Sequence, residues 1–149
     1  MLSSAVHVRR QRHLSVAMEM LRARALGFDS GTTRDAFDAC SWFAVAYADR
    51  HPIGIVRVTP ASFSPLTHWL DVDSPFPRGD DVVELTRGLV DEHWREHGIY
   101  RLLMLKVMTS LAPAEVQLAT AAIEPDFVGR RFLADLGFRD FGEPLTFND

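Results

Sequence analysis

Six residues, Arg95-Glu96-His97-Gly98-Ile99-Tyr100, stand between two apolar runs and have the makings of an anion site. The first backbone N–H groups of a helix have no partner inside it. With the helix dipole they form a place suited to phosphate. Gly98 has no Cβ to hold a ligand off the backbone, and Arg95 adds a charged, planar fork beside it. Such a turn can hold a diphosphate; the alternative is an ordinary surface turn containing a Gly and an Arg. A second set of chemically able residues is spread along the chain: Arg24, Asp35, Asp38, Arg57, Glu84 and Arg87. Asp35 and Asp38 can pair with Arg24 or Arg57, or they can bind the amine of an acceptor. Arg57 falls on the apolar Ile53–Ile55 side of a strand, where a charge must be paired. Asp35, Asp38 and Glu84 are its candidate partners. Glu84 itself is either a general base or a salt-bridge partner of Arg57 or Arg87.

These residues need elements to position them. Val82 to Val90 is rich in β-branched and apolar residues with polar ones interleaved, which predicts a strand. Asp91 to His97 is polar apart from Trp94. From Ile99 to Leu111 the chain is apolar on nearly every side, which predicts a buried helix. In an ideal strand Glu84 and Arg87 face opposite sides. A bulge between them can bring both to one side, and the interior Gly88 is the kind of residue that marks one.

Upstream, Ser4 to Val8 reads as a short first strand, followed by the basic Arg9, Arg10, Arg12 and His13, a solvated face. Leu14, Ala17, Met18, Leu21, Ala25 and Phe28 recur at helical spacing. Arg22 and Arg24 near the end of that helix suit its dipole; Gly27 and Gly31 mark the exit into a polar loop, Asp29 to Asp38. Ser41 to Ala48 and Ile53 to Thr59 form a hairpin around Asp49-Arg50-His51-Pro52. Ala61 to Asp81 is long, irregular and proline-rich, with Phe63, Leu66, Trp69, Leu70 and Phe76 either covering the core edge or lining an acyl pocket. Downstream, Glu115 to Ala121 is expected as a strand and Asp126 to Leu136 as a helix. A last strand is expected from Phe138 to Phe147, broken at Gly142-Glu143-Pro144. This order predicts an α+β domain with helices packed on a mixed sheet, a single domain over 1–149.

Composition removes several function classes. The 149 residues carry a net charge of −4, which argues against a nucleic-acid partner. One cysteine, Cys40, excludes an internal disulfide and fits a small buried residue in a reducing compartment. The start lacks an apolar signal region, and no run nears the ~20 apolar residues of a membrane span. The reading is a soluble, cytoplasmic protein with no membrane partner; its oligomeric state is not set by the sequence. His93 and His97 lie four apart but before the helix, with no third ligand, so no metal site is assigned. There is no Gly-x-Ser-x-Gly elbow.

Arg-x-x-Gly-x-Tyr after Leu89-Val90 resembles the coenzyme A loop of GNAT acyltransferases, usually Arg/Gln-x-x-Gly-x-Gly/Ala. Tyr100 departs at the last position, where a bulky residue crowds the pyrophosphate. Phe132-Leu133-Ala134-Asp135-Leu136-Gly137-Phe138 is similar to the family's late helix, ending in Leu-Gly-Phe. Leu133 stands where many of these enzymes have a Tyr general acid. Arg24 and Phe28, Asp35-x-x-Asp38, Arg57 and Glu84-x-x-Arg87 follow the order and local spacing of acyl-homoserine lactone (autoinducer) synthases and of the related N-acyl amino acid synthases. The Trp expected between Phe28 and Asp35 is absent, and the chain is shorter than a usual autoinducer synthase.

The resemblance implies a GNAT-like, mostly antiparallel mixed sheet with a splayed central strand and helices on both faces. It implies an N-acyltransferase that uses acyl-CoA or acetyl-CoA as co-substrate and holds no permanent cofactor. An acyl carrier protein is the other possible donor, and a small-molecule amine is the acceptor. Glu84 is then the catalytic base. Leu89, Val90, Arg95, Glu96, His97, Gly98, Ile99 and Tyr100 hold the coenzyme, and Arg24, Phe28, Asp35, Asp38, Arg57 and Arg87 surround the acceptor. Two alternatives stand beside this reading: a small-molecule GNAT N-acetyltransferase, and a non-catalytic module that binds acyl-CoA or a partner.

Overall fold

The strands that are apolar on both sides form the middle of the sheet, and helices cover each of their faces. A computed structural model describes residues 5–27, 33–70, 74–112, 115–123 and 126–141. Within them, strands β1 (Val6–Gln11), β2 (Trp42–Ala48), β3 (His51–Pro60), β4 (Val82–Val90) and β5 (Leu118–Thr120) lie side by side in sequence order. The first four pair antiparallel and β5 joins β4 in parallel. Helices α1 (Val16–Leu26), α2 (Pro65–Trp69), α3 (Ile99–Leu111) and α4 (Arg130–Asp135) complete the set. On one face Met18 and Leu21 of α1 pack on Phe43, Val45 and Ile55. On the other, Ile99, Leu103, Met104 and Val107 of α3, with Leu133 of α4, cover Ala44, Ala46, Val56, Val58, Val83 and Leu85. Burying apolar area on both faces is the main force that holds the sheet between its helices.

Two departures from regularity in β4 matter for function. Strands β3 and β4 change register: Ile55 pairs with Leu89 and Arg57 with Thr86, so Val56 alone faces both Arg87 and Gly88. Arg87 sits in the left-handed region at φ 53°, an unusual place for a residue with a side chain. This is a bulge, the feature that Gly88 predicted. The second departure is a split. Strand β5 pairs with β4 only at Val82, Val83 and Glu84. Beyond that point β4 runs on to Val90 while β5 ends, and the two part.

Several expected boundaries moved. The first strand begins and ends later than Ser4 to Val8, because its pairing with β2 carries it through the basic Arg9 and Arg10 to Gln11. The polar loop before β2 contains a 3₁₀ turn, Ala36–Cys40, which Asp35 caps. The helix expected over Asp126 to Leu136 is only Arg130–Asp135, and the strand expected over Glu115 to Ala121 is only Leu118–Thr120. Of the expected last strand, Phe138 to Phe141 is irregular; its remainder and the Gly142-Glu143-Pro144 break lie outside the described residues, as do Phe28 and Gly31. Cys40 is exposed rather than buried, since it ends the 3₁₀ turn on its outer side.

Candidate active site

The charged residues that the sequence scatters are gathered on the α1 face of β3 and β4. Arg57, 1% exposed, reaches from mid-β3 to three acceptors. Its Nη1 donates to Asp35 Oδ1 at 2.6 Å and to Asp38 Oδ1 at 3.0 Å, and its Nε donates to Thr86 Oγ1 at 2.9 Å. Arg87 Nη2 donates to Asp35 Oδ2 at 3.1 Å. The bulge makes that last bond possible, because it turns Arg87 toward the side on which Thr86 already lies. Asp35 and Asp38 also serve the chain around them. Asp35 Oδ1 accepts from the Phe37 and Asp38 amides, and Asp38 Oδ2 accepts from the Asp35 amide, a reciprocal capping box. With their oxygens filled by arginines and amides, the two carboxylates anchor the network and leave little room for a ligand amine.

The network's third arginine is not the expected one. Arg24 is 61% exposed and makes a 3.5 Å contact with Asp91. Arg22, fully buried, takes its place: Nη1 and Nη2 each lie 2.9 Å from an Asp38 oxygen, and Nη1 also donates to the Thr33 carbonyl at 3.3 Å. Helical spacing explains the exchange. Arg22 follows Met18 by four residues and so shares its inward stripe, whereas Arg24 points about 200° away from Arg22 at 3.6 residues per turn. That i, i+4 relation to Met18 was the signal available in the sequence. Burial on its own would raise the Asp38 carboxyl; the bonds from Arg22, the Asp35 amide and Arg57 outweigh it and hold the group below the usual carboxylate range.

Glu84 is 3% exposed and lies across from Thr59 on the same face. It forms no ion pair with Arg57 or Arg87 among the described residues. Its Oε2 accepts instead from the Leu66 amide at 3.1 Å, in the first turn of α2, where unpaired N–H groups favour a carboxylate. Burial raises its carboxyl above the usual range, against the opposing pull of Ser64, the Leu66 amide and the Arg57 charge. The long segment after β3 is thereby tied to β4, and Leu66 itself is buried over the core edge.

The expected coenzyme turn sits at the open end of β4. Gly98 adopts φ 75°, ψ 13° as the residue that enters α3, and no side chain caps the helix there. Its left-handed conformation is one that Gly takes without strain. Arg95, Glu96, His97 and Gly98 are exposed while Ile99 is buried, so the turn lies at the surface and Ile99 pins the start of the helix. Arg95 Nε donates to the Val90 carbonyl at 3.4 Å, and His97 Nδ1 lies 2.7 Å from the Arg95 carbonyl. Leu89 and Val90 lie on the same strand, past the bulge and beyond the reach of β5.

Between the parted strands lies a cleft of about 230 Å³ lined by Val56, Leu85, Thr86, Arg87 and Gly88 on one side and by Tyr100, Ala121, Ala122, Ile123, Phe127 and Leu133 on the other. Tyr100 comes from the first turn of α3 and lays its ring over Gly88; a Cβ at Gly88 would stand 3.1 Å from Tyr100 Cε2. Phe127 and Phe132 meet the same ring edge-on, with centroids 6.4 and 5.9 Å away. The uncapped start of α3, the part of β4 that β5 does not pair and the cleft beside Gly88 are thus near neighbours in the fold. Glu84 is not in the cleft wall.

No protein-family model and no curated protein sequence matches the chain. Solved structures do share its fold. The aminoglycoside N-acetyltransferase AAC(6')-Iy in complex with CoA is 15% identical, with 98% of this chain and 95% of that one covered at a TM-score of 0.68. An aminoglycoside acetyltransferase from an uncultured soil metagenomic sample is 11% identical over 97% and 95% of the two chains, TM-score 0.70. A GNAT-family acetyltransferase of Streptococcus pneumoniae is 17% identical over 97% and 98%, TM-score 0.66. The fold is that of the GNAT acetyltransferases: the mostly antiparallel sheet, the split beside its central strand and the helices on both faces are all as the resemblance implied.

Proposed function

We propose that this chain is a small-molecule N-acyltransferase that takes its acyl group from a coenzyme A thioester. The observation that carries the reading is the opening of β4 away from β5 directly beside the uncapped start of α3. A coenzyme A thioester needs those two features together. Its diphosphate requires N–H donors and positive charge, which Gly98, the first amides of α3 and Arg95 supply. Its pantetheine arm carries amides, which pair with the free strand edge at Leu89 and Val90. The thioester carbonyl then falls near the bulge, where backbone N–H groups stabilise the oxyanion as the amine attacks. Glu84 receives the amine's proton through a water. Burial raises its carboxyl above the usual range and so makes it a stronger base than an exposed glutamate, and Arg57, Arg87, Asp35 and Asp38 hold the wall past which the acceptor enters.

Acetyl transfer to a small amine is favoured because the solved structures of this fold cited above are acetyltransferases and two act on aminoglycosides. A second reading, a longer acyl chain delivered by coenzyme A or an acyl carrier protein as in autoinducer synthases, rests on the sequence pattern of Asp35, Asp38, Arg57 and Arg87, which meet in one ion-pair chain. Release of free thiol is the test. The chain is mixed with acetyl-CoA, longer acyl-CoA or an acyl carrier protein and with a panel of amines. Thiol release that requires an amine supports the reading, and the preferred donor chooses between its two forms. Donor binding without thiol release from any pair would make the chain a binding module instead.

A further inference from the structure

We infer that the Tyr100 hydroxyl protonates the departing sulfur in the acyl transfer proposed above, a reading on which this inference rests. The cleft offers few proton donors. Arg87 does not give up its proton in a protein. Thr86 is an alcohol, a far weaker acid than a phenol, and its oxygen already accepts from Arg57. The remaining side chains in the wall, Leu133 on α4 among them, are hydrocarbon. Tyr100 is the exception. Its hydroxyl oxygen lies 3.6 Å from the point where a Cβ on Gly88 would stand, which puts it at the bulge and not at the diphosphate end. Among the described residues no hydrogen bond engages that hydroxyl, and burial raises the phenol above its ordinary range, so that it keeps its proton until a base approaches. The ring is held by Phe127 and Phe132 and by the absence of a side chain on Gly88. A bulky residue at the second position of α3 thus has a use besides narrowing the cleft.

The step balances without another reactant. The amine nitrogen forms a bond to the carbonyl carbon, and the carbon–sulfur bond breaks with its electron pair on sulfur. Tyr100 passes its proton to that sulfur, giving the free thiol and a phenolate. The proton shed by the amine, taken up at Glu84 through water, returns to the phenolate by way of solvent and restores both groups.

Tyr100→Phe keeps the ring and removes the proton. With acetyl-CoA and the amine found by thiol release, turnover should fall about 10²-fold or more, with donor affinity and melting temperature close to those of the unaltered protein. The second donor is the acetyl thioester of thiophenol, whose thiolate leaves without a proton. On that donor the variant should approach the unaltered protein's rate. An equal deficit on both donors, or no deficit on acetyl-CoA, overturns the inference while leaving the acyltransferase reading intact. Absence of amine-dependent thiol release in the unaltered protein overturns both.

Discussion

Arg22 and Asp38 meet end to end, two guanidinium nitrogens 2.9 Å from two carboxylate oxygens, beneath the surface of the α1 face. Arg57 shares the same carboxylate at 3.0 Å. One acid thus serves two buried arginines, which is why Asp35 is needed as a second acid and why Asp35 in turn can hold Arg87 at the bulge. The position of the cleft wall is therefore linked to α1 through five side chains, from Arg22 to Arg87.

Removing one member of a buried pair leaves a charge without compensation. Arg22→Ala should destabilise the fold by about 3–5 kcal/mol. Arg24→Ala, at an exposed pair, should cost less than about 1 kcal/mol. Denaturant melts of the two variants check this; equal effects would mean that the buried Arg22 pair holds the fold no more than the exposed Arg24 pair does.

Acid should act through Asp38. Its folded carboxyl titrates below the ordinary range, so its contribution to stability is present above the unfolded value of about 3.9 and is lost as pH falls through the folded one. Asp38→Asn should show a shallower loss of melting temperature below about pH 4, from a lower starting point. A slope unchanged from that of the unaltered protein would assign acid unfolding to other carboxylates.

Glu84 has the opposite sign. Its folded carboxyl is raised. Its contribution is present below the ordinary glutamate value of about 4.3 and is lost as pH rises through the folded value. Glu84→Gln keeps an oxygen for the Leu66 amide and should remove this loss. If Glu84 also takes the amine's proton, turnover should drop by about 10²–10⁴-fold with donor affinity retained. Near-normal turnover in a stable variant would confine Glu84 to holding α2 in place.

At the proposed coenzyme turn, Arg95→Ala should weaken coenzyme A binding by about 1–3 kcal/mol, the scale of a hydrogen bond to a charged group. Because Arg95 is exposed, the loss should shrink as salt rises. Calorimetry at two salt concentrations measures both; unchanged affinity would place the diphosphate elsewhere.

The sequence by itself determined whatever depends on local order. The β-branched, apolar run of Val82 to Val90 and the apolar run of Ile99 to Leu111 mark β4 and α3 at their observed bounds, because both are written in neighbouring residues; the expectation that α3 is buried on nearly every side did not hold, since it packs by one face and leaves Leu102 and Leu105 exposed. Gly88 marked the bulge, where a Cβ would crowd the Tyr100 ring, and Gly98 the entry to α3, whose φ of 75° a residue without a Cβ takes freely. The presence of a charged network was legible too, because Arg57 on an apolar strand face requires partners. Which residues supply them was decided by tertiary structure. Arg22 displaced Arg24 through the rotation of α1 against the sheet, and Glu84 turned to the Leu66 amide because α2 packs there. The resemblance sets Tyr100 at the diphosphate; its ring reaches over Gly88 because α3 packs on that face of the sheet. The cleft beside it exists because β5 leaves β4, and that parting depends on how two strands far apart in sequence pair and where their pairing stops.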